Sequence, residues 1–313
     1  MNKLKIEKKI KNYNFLCLGA CHSDNILKLK NNYKLFRTNP VIYESKKGGV
    51  CFNIVNYISL FTKNFHFFSL SIPENIKKTR FHNISKNKND SFYTAILDQN
   101  GKLIMGLASN ESYEKISKIK FDIINKYIKS NTFLILDLCF NKKLTENIIN
   151  YYFSKKINIM IAGTSSFKIN RIKNCINKIS TLCLNEDEAF ALTNKKSINY
   201  SINYILKKNP IINLVITRGK KPVIMVLNGV KYLGYVPKIR IKNENGAGDA
   251  FSAMFFLATA FSFKGSIFLV PNLNTGILVI SSRRTFLIIS LTVNKDSSLD
   301  KTFPFSFAAL INI

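Results

Sequence analysis

The sequence predicts an α/β fold built on a doubly wound, mostly parallel sheet flanked by helices, and three observations carry that prediction. From residue 132 onward, apolar β runs alternate with helical patterns at short intervals. Two earlier hairpin patterns break that rhythm and read as a small β flap, a lid carried within the same domain. Near the C-terminal third, a β stretch, a Gly-X-Gly turn and an apolar helix follow one another, the arrangement that leaves free N–H groups at a helix start where anions bind.

The elements follow in order. Tyr13 to Ala20 reads as the first strand, leaving a basic tail before it. Asn25 to Glu44 alternates loosely around Asn31-Asn32, as a hairpin would. After Gly48-Gly49, residues Val50, Ile54, Tyr57, Ile58 and Phe61 fall at helical spacing. Phe65 to Leu70 is a short buried strand, and Phe81 to Asp90 is polar and reads as loop. Phe92 to Leu97 and Leu103 to Leu107 flank Asp98-Gln99-Asn100-Gly101, where Asn-Gly supplies positive φ angles for a tight turn. Thr132 to Asp137, Ile157 to Ala162, Ile179 to Leu184 and Ile211 to Thr217 are strands. Between them lie helices at Lys143 to Phe153, Phe167 to Ile176, Asn185 to Leu192 and Ile198 to Lys207. Val236 to Ile241 is a weak β stretch leading to the helix Ala250 to Phe261, and a further apolar helix pattern beyond it is interrupted by Arg283-Arg284. No repeat and no linker rich in Pro, Gly or Ser divides the chain, so residues 1–313 are expected to form a single domain, with the flap at about 25–44 and 91–108.

Composition narrows the function classes. A hydrophobic share of 46% with 21% charged residues suits a globular protein, and 313 residues can bury a large core. The net charge of +29 points toward nucleic acid at first sight. The excess is nearly all lysine spread from end to end, arginine is scarce and Trp is absent, so a solvated lysine surface with no nucleic-acid partner is expected. The six cysteines form no C-x-x-C pair, which predicts reduced, buried thiols in a cytoplasmic protein. The three histidines have no metal spacing. No uninterrupted apolar run reaches the roughly 18 residues of a membrane span, so no membrane partner is expected.

The candidate chemistry centres on Gly246-Ala247-Gly248-Asp249. The glycines allow close backbone approach, the N–H groups can hold growing negative charge, and Asp249 places a base among them. Such an anion cradle with a base inside it is what phosphoryl transfer to a hydroxyl requires, although Asp249 would equally serve as a helix N-cap. Asn185 and Glu188 stand at i and i+3, where they form either a capping box or a polar pair beside a ligand. Hard oxygens of this kind suit Mg²⁺.

Gly48-Gly49-Val50-Cys51-Phe52-Asn53 is similar to the Gly-Gly-x-x-x-Asn segment of the PfkB/ribokinase family of sugar and nucleoside kinases, and Asn243 to Ala253 resembles that family's Gly-Ala-Gly-Asp signature. Asp24 after the first strand, Asn185-Glu186-Asp187-Glu188 and Thr217-Arg218-Gly219 fall in the family's order, so the resemblance covers most of the chain. It implies a ribokinase-like fold and an ATP-dependent phosphotransferase with an alcohol group as acceptor. By that resemblance Asp249 is the base and Gly246, Ala247 and Gly248 form the cradle. Asp24, Gly48, Gly49 and Asn53 hold sugar hydroxyls, Thr217, Gly219 and Asn185 lie by the nucleotide, and Glu188 organises Mg²⁺. The segment from Tyr93 to Tyr113, and the stretch from Leu136-Asp137 through Thr164-Ser165-Ser166-Phe167-Lys168, look most like pseudouridine kinases. A kinase for ribose, a fructose phosphate or another nucleoside, and a kinase fold kept only for binding, remain alternatives. Oligomeric state is open, with a homodimer through the flap as the arrangement the resemblance suggests. The chain departs from the family at Ser71-Ile72-Pro73-Glu74, Pro222, Glu244 and Met254.

Overall fold

The computed structural model describes residues 12–70, 72, 79–85, 91–234 and 246–260 in full, and the backbone alone of 261–262, 271–272, 275–282, 285–292 and 305–311. Along the chain run β1 (Asn14–Leu18), β2 (His22–Leu29), β3 (Val41–Gly48), α1 (Val50–Ser59), β4 (Phe65–Ser69), β5 (Phe81–Asn83), β6 (Phe92–Leu97) and β7 (Leu103–Ser109). There follow α2 (Glu111–Lys115), α3 (Phe121–Asn125), β8 (Thr132–Asp137), α4 (Lys142–Ser154), β9 (Asn158–Ala162), β10 (Thr181–Asn185), α5 (Glu186–Thr193) and α6 (Ile198–Lys208). The last fully described elements are β11 (Asn213–Arg218), β12 (Lys221–Leu227), β13 (Val230–Gly234) and α7 (Ala247–Ser262).

Nine strands form one sheet in the order β13-β12-β11-β10-β9-β8-β1-β4-β5. From β5 to β11 every neighbouring pair is parallel, and β12 and β13 add an antiparallel edge. The central strands are buried on both faces, which explains their continuous apolar runs. Successive residues feed opposite layers. Leu16, Leu18, Leu134, Leu136, Ile159 and Ile161 face the layer of α4, α5 and α6, while Phe15, Cys17, Phe133, Ile135 and Met160 face that of α1 and α7. All six cysteines are buried thiols outside any disulfide, as the sequence predicts.

The flap is a separate four-stranded sheet, β3-β2-β6-β7. Its outer pairs are antiparallel, and β2 runs parallel to β6 at its centre.

Several sequence readings are corrected. Phe81–Asn83, read as loop, pairs in parallel with β4, because Phe81 finds Phe65 and Phe67 as ring partners. The helix read over Phe167 to Ile176 is a pair of 3₁₀ turns, Ile169–Ile172 and Ile176–Lys178. Its β-branched isoleucines favour helix weakly, and Arg171 is drawn to the carbonyls of Leu138 and Cys139. The first flap hairpin does not turn at Asn31-Asn32. A longer loop closes through Asn39, whose side chain bonds both backbone groups of Lys34. The β12–β13 hairpin was not read at all. Beyond Phe261, where a helix pattern was expected, the backbone forms strands at Thr275–Ser282 and Thr285–Thr292, runs rich in Ile, Val and Thr. Val236 to Ile241, Asn243, Glu244, Asn245 and Arg283-Arg284 lie outside the described residues.

Candidate active site

Because the sheet is parallel, its strands end on one edge, and the sequence-predicted residues gather there. Leu18, Asp137, Ala162, Asn185 and Arg218 are the last residues of β1, β8, β9, β10 and β11. Ligands of open α/β sheets bind along such an edge.

Gly246 turns the chain into α7 with a φ of 79°, a left-handed value that glycine adopts without strain. The helix is closed by the bond from Ala250 N–H to Gly246 O (2.9 Å). The amides of Ala247, Gly248 and Asp249 belong to its first turn and have no helical acceptor. Ala247 and Gly248 are exposed, and a Cβ on Gly246 or Gly248 would meet only open space. Asp249 therefore stands in the first turn of a long apolar helix, beside a bare patch of N–H donors.

From the neighbouring helix α1, Asn53 Nδ2 donates to Asp249 Oδ2 at 2.8 Å. Burial pushes the Asp249 carboxyl up to about 7; Asp137 and Asp24 add to the rise, and the Asn53 bond opposes it. A carboxyl balanced near neutrality can accept and return a proton.

Asp24 lies on β2, where its partner strands place it opposite Lys46 and Tyr93. Its Oδ1 is 3.0 Å from His22 Nδ1, and the two buried atoms face each other without an aligned hydrogen bond. Gly48 is required beside it, since a Cβ there would run into the Asp24 carboxylate. Gly49 precedes α1 with a φ of 113°, pressed against the Ala20 carbonyl.

Asn185 and Glu188 form the capping box that the sequence left open. Asn185 Oδ1 accepts from Glu188 N–H (2.8 Å), and Glu188 Oε2 accepts from Asn185 N–H (2.9 Å). Burial pushes the Glu188 carboxyl up to about 7, with Asp249 and Asp187 adding to it against the Asn185 bond. Gly163, at the end of β9, leaves the room that this carboxylate occupies. Thr217 pairs with Asn185 across β10 and β11, and its Oγ1 is 3.4 Å from Leu184 O. Gly219 turns the chain at a φ of 59° with nothing near its α-carbon. Glu186 ties this corner by bonding Arg218 and Lys221 (3.0 and 3.1 Å), and Pro222 sits in β12 at the strand edge. Met254 is buried in the layer of α1 and α7, where its flexible side chain packs without a small residue being needed.

Among the described residues no group of three His, Cys, Asp or Glu side chains forms a ready metal cage. The charge of Asp249 adds to the rise of the buried Glu188 carboxyl, and hard oxygens of this kind would suit a Mg²⁺ ion that keeps its own waters. Among the described residues, no helix is long and apolar enough to cross a membrane.

Sequence reasoning assigned no role to Asp137 or Tyr113. Asp137 is fully buried at the end of β8, and Tyr113, also fully buried, bonds Cys21 N–H, Cys21 O and Ser69 Oγ (2.8, 2.9 and 2.8 Å). A carboxylate ending an apolar strand was the available signal for the first. For the second there was none, because its partners are 92 and 44 residues away.

The model of the pfkB family of carbohydrate kinases matches residues 71–261. That span contains Asp137, Asn185, Glu188, Thr217, Gly219 and the Gly246 to Asp249 turn, and begins after Asp24 and Gly48 to Asn53. No curated protein sequence matches the chain. Solved structures resemble it over most of its length. A carbohydrate kinase from Agrobacterium tumefaciens is 22% identical with a TM-score of 0.62, covering 82% of this chain and 86% of its own. Ribokinase from Thermotoga maritima is 17% identical with a TM-score of 0.63, covering 81% and 87%. Arabidopsis thaliana ribokinase, solved with ribose and ATP, is 13% identical with a TM-score of 0.61, covering 82% and 88%. The fold is thus ribokinase-like.

Proposed function

The family model spans more than half of the chain, which therefore belongs to the pfkB family of carbohydrate kinases, and on that premise we propose that it transfers the γ-phosphoryl group of ATP to the primary (5′) hydroxyl of a ribosyl compound, pseudouridine by first choice. The observation that carries this reading is the 2.8 Å bond between Asn53 and Asp249, which joins the sugar-side helix to the base at the anion-binding turn.

Asp24 and Asn53 hold sugar hydroxyls, one accepting and one donating, and Gly48 and Gly49 offer backbone groups beside them while making room for the Asp24 carboxylate and the Ala20 carbonyl. Asp249 takes the proton of the attacking hydroxyl, which requires its ionised form. The N–H groups of Ala247, Gly248 and Asp249 receive the charge that develops on the transferred group. Thr217, Gly219 and the exposed Asn185 line the nucleotide side, since they end neighbouring strands on the same edge. Glu188 would hold Mg²⁺ through water while keeping its cap, and the ion when bound would neutralise phosphate charge.

Pseudouridine is favoured because the flap and the loop at Thr164 to Lys168 resemble those of pseudouridine kinases. The buried thiols suit a reducing compartment, and we assign the protein to the cytoplasm. We further propose that two copies pair through the flap, whose outer surface exposes Ile42, Tyr43, Leu103 and Met105. Sedimentation of the wild type and of a Met105→Lys variant tests this, and a monomer at micromolar concentration refutes it.

The deciding experiment is ADP release from Mg·ATP with pseudouridine, uridine, ribose, adenosine and fructose 6-phosphate, using Asp249→Asn as the blank. Turnover on pseudouridine alone, absent from the variant, is expected. Turnover on another compound corrects the substrate, and no turnover on any of them by folded protein rejects the catalytic reading.

A further inference from the structure

Asp137 is fully buried, and backbone amides of three separate segments donate to its carboxylate. Ala20 N–H and Cys51 N–H share Oδ2 at 2.9 and 3.1 Å, and Cys139 N–H reaches Oδ1 at 3.0 Å. A group that only accepts, from donors converging on both oxygens, is suited to the ionised carboxylate.

The donors lie where the sugar-side residues are set. Ala20 joins β1 to β2, the strand that presents Asp24. Cys51 is in the first turn of α1, the helix that presents Asn53. That helix has no cap of its own, since Gly49 offers no side chain and makes no capping bond. Asp137 caps it from a strand 86 residues away. The space for this carboxylate is kept by Gly19, where a Cβ would collide with both Asp137 and Cys51.

We propose that Asp137 is a positioning residue for phosphoryl transfer, one buried carboxylate that fixes the entry to β2 and the start of α1 and so sets the gap between Asp24 and Asn53. The inference rests on the kinase reading above.

The test uses two variants with opposite defects. Asp137→Asn keeps the shape and removes the charge; Gly19→Ala keeps the charge and crowds the carboxylate. Steady-state kinetics with the accepted sugar and ATP, and equilibrium dialysis with pseudouridine, read the result. Asp137→Asn and Gly19→Ala are each expected to raise the sugar KM about tenfold with the ATP KM unchanged. Variants that lose thermal stability alone, with both KM values as in wild type, overturn the proposal. If Asp137→Asn does not fold, an unchanged sugar KM in Gly19→Ala overturns it as well. Should the wild type turn over no sugar, the kinase reading fails separately, and variants that bind pseudouridine as tightly as the wild type in dialysis refute the positioning role.

Discussion

The large sheet and the flap are built from the same strand chemistry and end in opposite states. β8 is buried along its whole length, whereas β3 and β7 are exposed at nearly every residue. The sheet is held by two apolar layers, one on each face. The flap is held chiefly by its own ladders and by anchors at its root, where Tyr113 bonds Cys21 and Asp137 bonds Ala20. Stability thus resides in one region, and the residues proposed to contact ligand lie in the seam between the two. Asp249 and Asn53 stand on the sheet side of that seam, and Asp24 and Gly48 on the flap side.

The largest expected effect comes from the seam itself. Asp249→Asn should lower turnover by about 10²–10⁴-fold, the range for loss of a general base, and an ADP-release assay checks it. The same change should raise the melting temperature at pH 7.5. The Asp249 carboxyl is held up to about 7, above its ordinary 3.8, so the folded state holds a proton that the unfolded chain gives up. Stability from this group therefore declines as pH climbs from about 4 to about 7 and stays low above that, and a neutral amide escapes the loss.

A break in the sheet comes next. Leu136→Ala in the fully buried β8 should cost about 2–5 kcal/mol in urea unfolding. On the flap side, Gly48→Ala pushes on the Asp24 carboxylate and should raise the sugar KM about tenfold with the ATP KM unchanged. A smaller effect belongs to Glu188. Its carboxyl is raised to about 7 from an ordinary 4.5, so Glu188→Gln should flatten part of the decline in stability between those pH values, as read by thermal melts across pH. The smallest belongs to the flap surface, where Ile104→Ser on exposed β7 should change stability by no more than about 0.5 kcal/mol. A cost like that of Leu136→Ala would erase the contrast between the regions.

The same contrast governs what was legible in the sequence. Strands β8 to β11 and helices α4 to α6 were readable because buried parallel strands are continuous apolar runs separated by amphipathic segments. The second flap hairpin was readable from Asn100-Gly101, whose turn bond runs from Gly101 N–H to Asp98 O. The capping box was readable because Asn185 and Glu188 are three residues apart. By contrast, the bond between Asn53 and Asp249 spans 196 residues, and no local pattern encodes it. β5 is three residues long and exists only through its pairing with β4. The 3₁₀ turns after β9 depend on Arg171 reaching back to the carbonyls after β8, again a tertiary contact. The anion turn and Gly-Gly segment were found as motifs, while Asp137, which braces the Gly-Gly segment from the middle of the sheet, carries no motif.

The strand order has a consequence for synthesis. β1 leaves the ribosome well before β8, yet it lies between β4 and β8, and its Asn14 side chain bonds Thr132, 118 residues later. Until β8 emerges, one edge of β1 has no partner, and Phe15, Leu16, Cys17 and Leu18 present a bare apolar ribbon to the cell. Pairings this distant are slow to close, so the nascent chain passes through a window in which a strand bound for the core is exposed and adhesive.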